Sequence, residues 1–344
     1  MPLTDEIKRK ALELGFDLVG VTDASPIDGK QVQSFSDWLA SGFAGQMSYM
    51  HRNFEKRIHP AKLLEDAHSV IVVGLNFKPA KPSPSLRASR SRAEQSAGEK
   101  PISSLRASRS DARPSQIPDR TTATGRVAQY AQYEDYHPFV KSRLRTLVNF
   151  ISSLTGAGEK FKVCVDSAPV AERALAARAG LGFIGKNHLL INPTLGPQIF
   201  LGEIITTVKL QFDRPTAGNC STCTKCIDVC PTGALRPDGQ FDANKCISYL
   251  TIEHKGNIPP DMAEKIGDRL YGCDECVLAC PYQHSAPACG DKQFKFYGDR
   301  ANLDLHRVLS MTQQDFDAEF TDSVISRLGL DRLKRNARIC AMNV

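Results

Sequence analysis

The spacing of the cysteines constrains this chain more than any other feature. Eight of its eleven cysteines fall between residues 220 and 280, in the runs Cys220-x2-Cys223-x2-Cys226-x3-Cys230-Pro231 and Cys273-x2-Cys276-x3-Cys280-Pro281. The first run is the bacterial ferredoxin pattern, in which three thiolates hold one [4Fe–4S] cluster and the fourth holds its neighbour. The second run lacks the first cysteine of that pattern, and Cys246 is the available substitute. The count then closes at two cubanes. Cys220, Cys223, Cys226 and Cys280 are expected at one, and Cys230, Cys246, Cys273 and Cys276 at the other. CxxC pairs also suit tetrahedral zinc, but two CxxCxxxCP runs match cluster ligation better. Cys164, Cys289 and Cys340 are left over and are expected to be packing residues.

Eight ligands in one stretch imply a reducing compartment, where disulfides are disfavoured. The N-terminus reads as a capped amphipathic helix, with Thr4 as N-cap and Gly15 as the stop, and neither a secretory nor a twin-Arg signal is seen there. No run of apolar residues is long enough to span a membrane. The expectation is a cytoplasmic chain without a membrane partner.

A net charge of +6 suggests nucleic acid until its location is considered. Residues 78–126 hold eleven Lys/Arg and four Asp/Glu, which leaves 33 basic and 34 acidic side chains for the rest. That segment is rich in Ser, Pro, Ala and Arg, and it repeats Ser85-Leu86-Arg87-Ala88-Ser89-Arg90-Ser91 as Ser104-Leu105-Arg106-Ala107-Ser108-Arg109-Ser110. Such a stretch cannot bury enough apolar surface to offset its ordering entropy. Residues 80–122 are therefore expected to be a disordered low-complexity insertion.

On either side, strand and helix patterns alternate. Helices are expected over 4–15, 30–41, 135–153 and 169–179, and strands over 17–21, 69–77, 161–165 and 200–208. The fold class is α+β. An N-terminal α/β domain (1–79 and 123–215) would precede a ferredoxin-type double-cluster module (216–292) and a C-terminal helical segment (293–344). Gly180-x-Gly182-x2-Gly185 matches the dinucleotide fingerprint, but it follows a helix rather than a strand. Its glycines are better explained by a helix C-cap and close backbone packing.

Asp166 closes the apolar strand Val163-Cys164-Val165. An Asp at such a junction is commonly a helix N-cap, with Ser167 as competitor. A carboxyl at an apolar edge also has its pKa raised, which would keep it protonated and able to donate.

Here the residues carry a family resemblance. Asp166-Ser167-Ala168-Pro169 through Gly182-Phe183-Ile184-Gly185-Lys186-Asn187, followed by the cysteine runs, resembles epoxyqueuosine reductases. Arg57, Tyr136-His137, Cys246-Ile247-Ser248-Tyr249-Leu250-Thr251-Ile252-Glu253 and Arg335-Asn336-Ala337 extend the likeness over nearly the whole chain except the insertion. The resemblance implies a short form without the helical-repeat tail of some members. It also implies a reductive-dehalogenase-like domain binding cobalamin without a histidine ligand from the protein. The activity implied is reduction of the epoxide of epoxyqueuosine, at the wobble position of a tRNA anticodon, to the alkene of queuosine. Asp166 would be the proton donor, and Arg57, Asp166, Lys186, Asn187 and Ser248, with Gln129 and Tyr130, would line the cobalamin pocket. Expected partners are the tRNA anticodon stem-loop and an external low-potential electron donor, with the chain acting as a monomer. Arg327, Lys334 and Arg335, in the basic stretch 323–338, are candidate tRNA contacts. A cytosolic reductive dehalogenase and a ferredoxin-type electron carrier are the alternative functions.

Overall fold

The computed structural model describes residues 2–80, 123–290 and 293–344. The insertion expected over 80–122 lies, but for Ala80, outside the described residues. Four strands form the central sheet: β1 (Leu18–Asp23), β2 (Ser69–Asn76), β4 (Phe161–Cys164) and β7 (Ile199–Thr206), in the order β1-β2-β7-β4. Every neighbouring pair is antiparallel, so the alternating elements build an α+β layer and not a parallel wound sheet.

All eight residues of β2 are buried. Side chains of a strand alternate between faces, and both faces of this one are covered. Ile71, Val73 and Leu75 meet α1 (Leu3–Glu13) and α3 (Tyr136–Thr155); Val70 and Val72 meet α4 (Glu172–Arg178) on the other side. This is why β2 reads as an unbroken apolar run. The helix α3 turns Val140, Leu144, Leu147 and Ile151 inward at three- and four-residue spacing. It can lie close against β7 because residue 202 is glycine: a Cβ there would stand 2.9 Å from Leu144 Cδ1 and Val140 Cγ1.

Local boundaries differ from expectation in two places. Thr4 is not a cap; Pro2 holds the N-cap position. The Thr4 hydroxyl is buried and accepts from the Gln211 amide at 2.9 Å, so tertiary contact has claimed it. The helix expected from 169 begins at Glu172, because Asp166 through Ala171 form a turn that positions Asp166. Its other end behaves as expected. Gly180, at φ +80°, follows α4 in a Schellman arrangement, with Leu181 N bonded to Ala176 O and Gly180 N to Ala177 O. At Gly182 a Cβ would meet the Ile191 carbonyl oxygen at 2.3 Å. These glycines serve packing between α4 and the ribbon β5 (Phe183–Ile184) and β6 (Leu190–Ile191).

A second core forms around β3 (Thr124–Val127), which pairs with β8 (Arg269–Tyr271) in parallel and β9 (Asn302–Asp304) in antiparallel fashion. Val127, the short helix α5 (Ile247–Ile252), Leu270, Phe316, Phe320 and the helix α6 (Leu330–Asn343) pack together there. The segment between the cysteine runs and the C-terminal helices therefore share one core. Among the described residues no helix is long and apolar enough to cross a membrane.

Candidate active site

The cysteines of the two runs come together. Cys220, Cys223, Cys226 and Cys280 line one cavity of about 260 Å³, together with Asn187, Ile191 and Tyr282. Cys276 lies within electrostatic range of Cys273 and Cys246, and Cys246 within range of Cys230. Cys226 also neighbours Cys276, so the quartets adjoin. Local structure explains the aim of the sulfurs. Cys280 and Cys246 occupy the N-cap positions of helices Pro281–Ser285 and α5. Backbone N–H groups of Tyr282 and Gln283 point at the first sulfur, and those of Ser248 and Tyr249 at the second. Burial pushes the Cys273 thiol up to about 12, and burial beside Cys273 and Cys246 raises Cys276 further from its ordinary value. Four such sulfurs become stable thiolates only on a cationic centre that ligates them. The donor set and the cavity fit an iron–sulfur cluster.

Four of the residues expected around a cobalamin have partners within the protein. Lys186 donates its backbone N–H to Cys220 Sγ at 3.4 Å, and its ammonium donates to the Ser221 and Cys223 carbonyls at 2.9 and 3.0 Å. Asn187 reaches the Cys276 carbonyl at 3.5 Å, between the quartets. Gln129 is buried, its backbone N–H on Asp274 Oδ2 at 2.7 Å and its side-chain oxygen accepting from Gln198 at 2.6 Å. Tyr130 packs in the core beside Tyr271. Ser248 is half-buried and offers its N–H to Cys246.

Asp166 sits at φ +51° in the turn before α4. Its side chain is 54% exposed on one side, while protein closes round the rest. Asp135, the N-cap of α3, accepts from the His137 backbone N–H at 2.9 Å and from the ring Nδ1 at 2.6 Å. The other ring nitrogen, Nε2, stands 3.0 Å from Asp166 Oδ2 and 3.0 Å from Arg327 Nη1. Arg327 also donates to Asp135 Oδ2 at 3.0 Å. With Nδ1–H committed to Asp135, Nε2 either donates to Asp166 or accepts from Arg327, and cannot do both.

The charge state of Asp166 is opposite to the sequence expectation. Burial alone would raise its pKa, but the His137 hydrogen bond and the charges of His137 and Arg327 outweigh that effect and lower it. For His137, burial favours the neutral ring, yet the hydrogen bonds to Asp135 and Asp166 win and raise its pKa. Two carboxyls shifted toward the neutral form lie behind. Glu172 Oε1 accepts the Asp166 backbone N–H at 2.5 Å; burial and the Asp166 charge raise Glu172 to about 7. Glu203, deep in β7, is raised well above the ordinary glutamate range by burial, then by Glu172 and Asp166. Arg57 is within range of Tyr49, Glu172 and Asp166, and its buried Nε has no hydrogen-bond partner among the described residues.

Sequence reasoning named Tyr136-His137 as a motif without giving His137 a task, and it overlooked Asp135, Glu172 and Glu203. A lone Glu inside the apolar run Phe200–Val208 was the available signal for the last. Arg335 was expected at tRNA. Its guanidinium instead donates to the carbonyls of Leu250 at 2.8 Å, His254 at 2.7 Å and Gly256 at 2.8 Å, closing the C-terminal end of α5. Arg332 likewise holds the Ile252 and Leu328 carbonyls, each at 2.7 Å. Lys334 is half-buried on α6, and Arg338 is exposed.

A fold with an antiparallel catalytic layer and a two-quartet cysteine module defines an iron–sulfur oxidoreductase. Comparison with known proteins gives the family. Residues 57–167 match the family described as "Epoxyqueuosine reductase QueG, DUF1730", and residues 219–283 match the 4Fe-4S double cluster binding domain. The chain is 36% identical over 312 residues to the epoxyqueuosine reductase of Francisella cf. novicida, covering 90% of this chain and 78% of that one. It is 35% identical over 333 residues to that of Xanthomonas campestris pv. campestris, covering 97% and 84%. The solved epoxyqueuosine reductase of Streptococcus thermophilus superposes with a TM-score of 0.82 at 29% identity, covering 100% of this chain and 82% of that one. Another, crystallised with an epoxyqueuosine-modified tRNA-Tyr stem loop, gives 0.81 at 28% identity, covering 99% and 81%. The chain belongs to the epoxyqueuosine reductase family, and it is an oxidoreductase with a [4Fe–4S] double-cluster domain.

Proposed function

We propose that this chain reduces epoxyqueuosine in the anticodon loop of tRNA to queuosine, with Asp166 delivering the proton that lets the epoxide oxygen leave as water. The observation that carries this reading is the Asp135–His137–Asp166 chain, in a fold that also brings the cysteines of the two runs together. Cys220, Cys223, Cys226 and Cys280 would ligate one cluster, and Cys230, Cys246, Cys273 and Cys276 the other. A cobalamin would be the group that acts on the substrate carbon, supplied with single electrons by the clusters. Arg57, with an unspent buried N–H, and Ser248 are the residues of the expected pocket suited to hold it; an arginine suits its phosphate and amide groups.

The protein's own part is proton handling. His137 as imidazolium donates Nε2–H to Asp166, and the proton moves to Oδ2 across 3.0 Å. Arg327 Nη1, at the same distance, then donates to the freed Nε2 lone pair and stabilises the neutral ring. Asp135 keeps the ring oriented throughout. Asp166 is thus a proton conduit refilled by His137, ionised at rest. Once the imidazolium has given up its proton, the hydrogen bond and the charge that hold Asp166 ionised are gone, and its carboxyl keeps the proton until the departing oxygen takes it. Access to a base in an RNA loop requires that base to be unstacked toward Asp166. Lys334 and Arg338 are the basic groups of 323–338 available to phosphate, since Arg332 and Arg335 serve backbone carbonyls.

The test is to purify the protein anaerobically, add cobalamin and a low-potential reductant, and supply a stem loop containing epoxyqueuosine. A product lighter by one oxygen atom supports the proposal, as does a change in cobalamin absorbance on mixing. An unchanged base with both clusters intact would sink it.

A further inference from the structure

An unpaired acid in the middle of a sheet is strongly unfavourable, and Glu203 is one. The residue is 0% exposed, and both carboxyl oxygens are buried without a hydrogen-bond partner among the described residues. It lies opposite Val72 of β2 and Cys164 of β4. It shares parity with Leu201 and Ile205, so it occupies the face of the sheet that α4 covers. α4 opens with Glu172, which bonds the Asp166 backbone at 2.5 Å. The titratable groups facing Glu203 from these elements are Glu172, Asp166 and Cys164, all acids. Around Glu172 they are Asp166, Arg173 and His137. An apolar residue would serve the core better at position 203, and the acidic groups around it lead to Asp166.

We propose that Glu203 and Glu172 form an internal proton store behind Asp166, an inference that rests on the reduction proposed above. Converting an epoxide to an alkene and water takes two electrons and two protons. The electrons come from the enzyme's reductant, and the store needs none of its own. The Asp166 O–H bond breaks and its proton goes to the departing oxygen; the Glu172 O–H bond then breaks and its proton passes to the Asp166 carboxylate, which hands it to the same oxygen as the second proton, so that the oxygen leaves as water. The Glu203 O–H bond then breaks and its proton restores the Glu172 carboxyl, the acid in electrostatic range of it. The charge left on Glu203 is in its least favourable position, so solvent protons return by way of His137, Asp166 and Glu172 before the next turnover. His137 is the outward entrance and Glu203 the inner reserve.

The test uses the full chain with its clusters and cobalamin, and Glu203→Gln, which keeps the shape and removes the acid. In the wild type without substrate, infrared spectroscopy should show a carboxyl that stays protonated at neutral pH, and Glu203→Gln should lose that band. The first turnover should match the wild type. The steady-state kcat should fall about ten-fold at unchanged KM, less than the ~100-fold or more from deleting an acid that meets substrate directly. Glu203→Leu should show the same kinetic loss with a higher melting temperature, which a merely structural role would not produce. A wild-type kcat and pH profile in Glu203→Gln, or no protonated-carboxyl band in the wild type, overturns the proposal. If the wild type fails to reduce the tRNA base although the band is present, the proposed function fails and the store does not.

Discussion

Arg335→Met distinguishes a structural arginine from an RNA-binding one. The guanidinium holds three main-chain carbonyls at the end of α5, and it also donates to Asn336 Oδ1 at 2.9 Å. The Asn336 amide continues the clamp to the Thr251 and Leu270 carbonyls at 2.8 and 3.0 Å, within a fully buried residue. Met replaces the aliphatic stem and leaves the carbonyls without their cation. Leu250 is buried, so its carbonyl cannot turn to water, whereas Gly256 borders solvent and can. Counting one buried acceptor fully orphaned at about 1–3 kcal/mol, and partial losses at the other two, the destabilisation should be about 2–4 kcal/mol. For a chain of 344 residues that lowers the melting temperature by roughly 3–6 °C. Because α5 begins at Cys246, visible absorbance from the clusters should bleach at lower urea than in the wild type. Titration with a tRNA stem loop at moderate salt should give an affinity within about three-fold of the wild type, because no phosphate contact is lost. Unchanged stability together with a ten-fold or greater loss of tRNA affinity would refute this reasoning and return Arg335 to the RNA surface.

Cys280→Ser should disturb the cluster bordered by Cys220, Cys223 and Cys226, while Cys230→Ser disturbs the other; each variant should retain one intact cluster signal in electron paramagnetic resonance. Disturbance in the reverse assignment would exclude the exchanged ligands. His137→Gln keeps a hydrogen bond to Asp135 but carries no proton, so kcat should fall about 100-fold or more with little change in tRNA affinity. A kcat near wild type would remove His137 from the proton path. Glu172 titrates at about 7 in the fold against an ordinary 4.5. The native state therefore binds a proton that the unfolded chain has released. Its stabilising effect is complete below about 4.5 and declines as pH rises to about 7. Urea midpoints of the wild type relative to Glu172→Gln should fall across that window; a rise would contradict the assignment.

Features governed by local rules were readable from the residues. β2 and β7 announced themselves as apolar β-branched runs, and α3 as a three- and four-residue stripe, because burial of one segment against any apolar surface demands those patterns. Eight cysteines in two proline-terminated runs pointed to clusters whichever way the chain turned. The antiparallel order of the sheet was not readable, since strand alternation with helices is compatible with either direction. Nor was the sharing of one core by residues 243–271 and 303–340, which depends on contacts between distant segments.

The same division runs through the site. By itself the sequence determined the chemistry on offer: the thiols, the acid after β4, the histidine at the head of α3, and a family likeness that follows from their order. Only the tertiary structure decided which charge each group carries. Asp166 is held ionised because α3 delivers His137 to it and the C-terminal segment delivers Arg327. Glu203 is held neutral by burial within the sheet and by the neighbouring acids Glu172 and Asp166. Arg335 closes a helix because α6 packs across α5. Ionisation and hydrogen bonding depend on neighbours a few ångströms away, and those neighbours come from parts of the chain up to about two hundred residues apart.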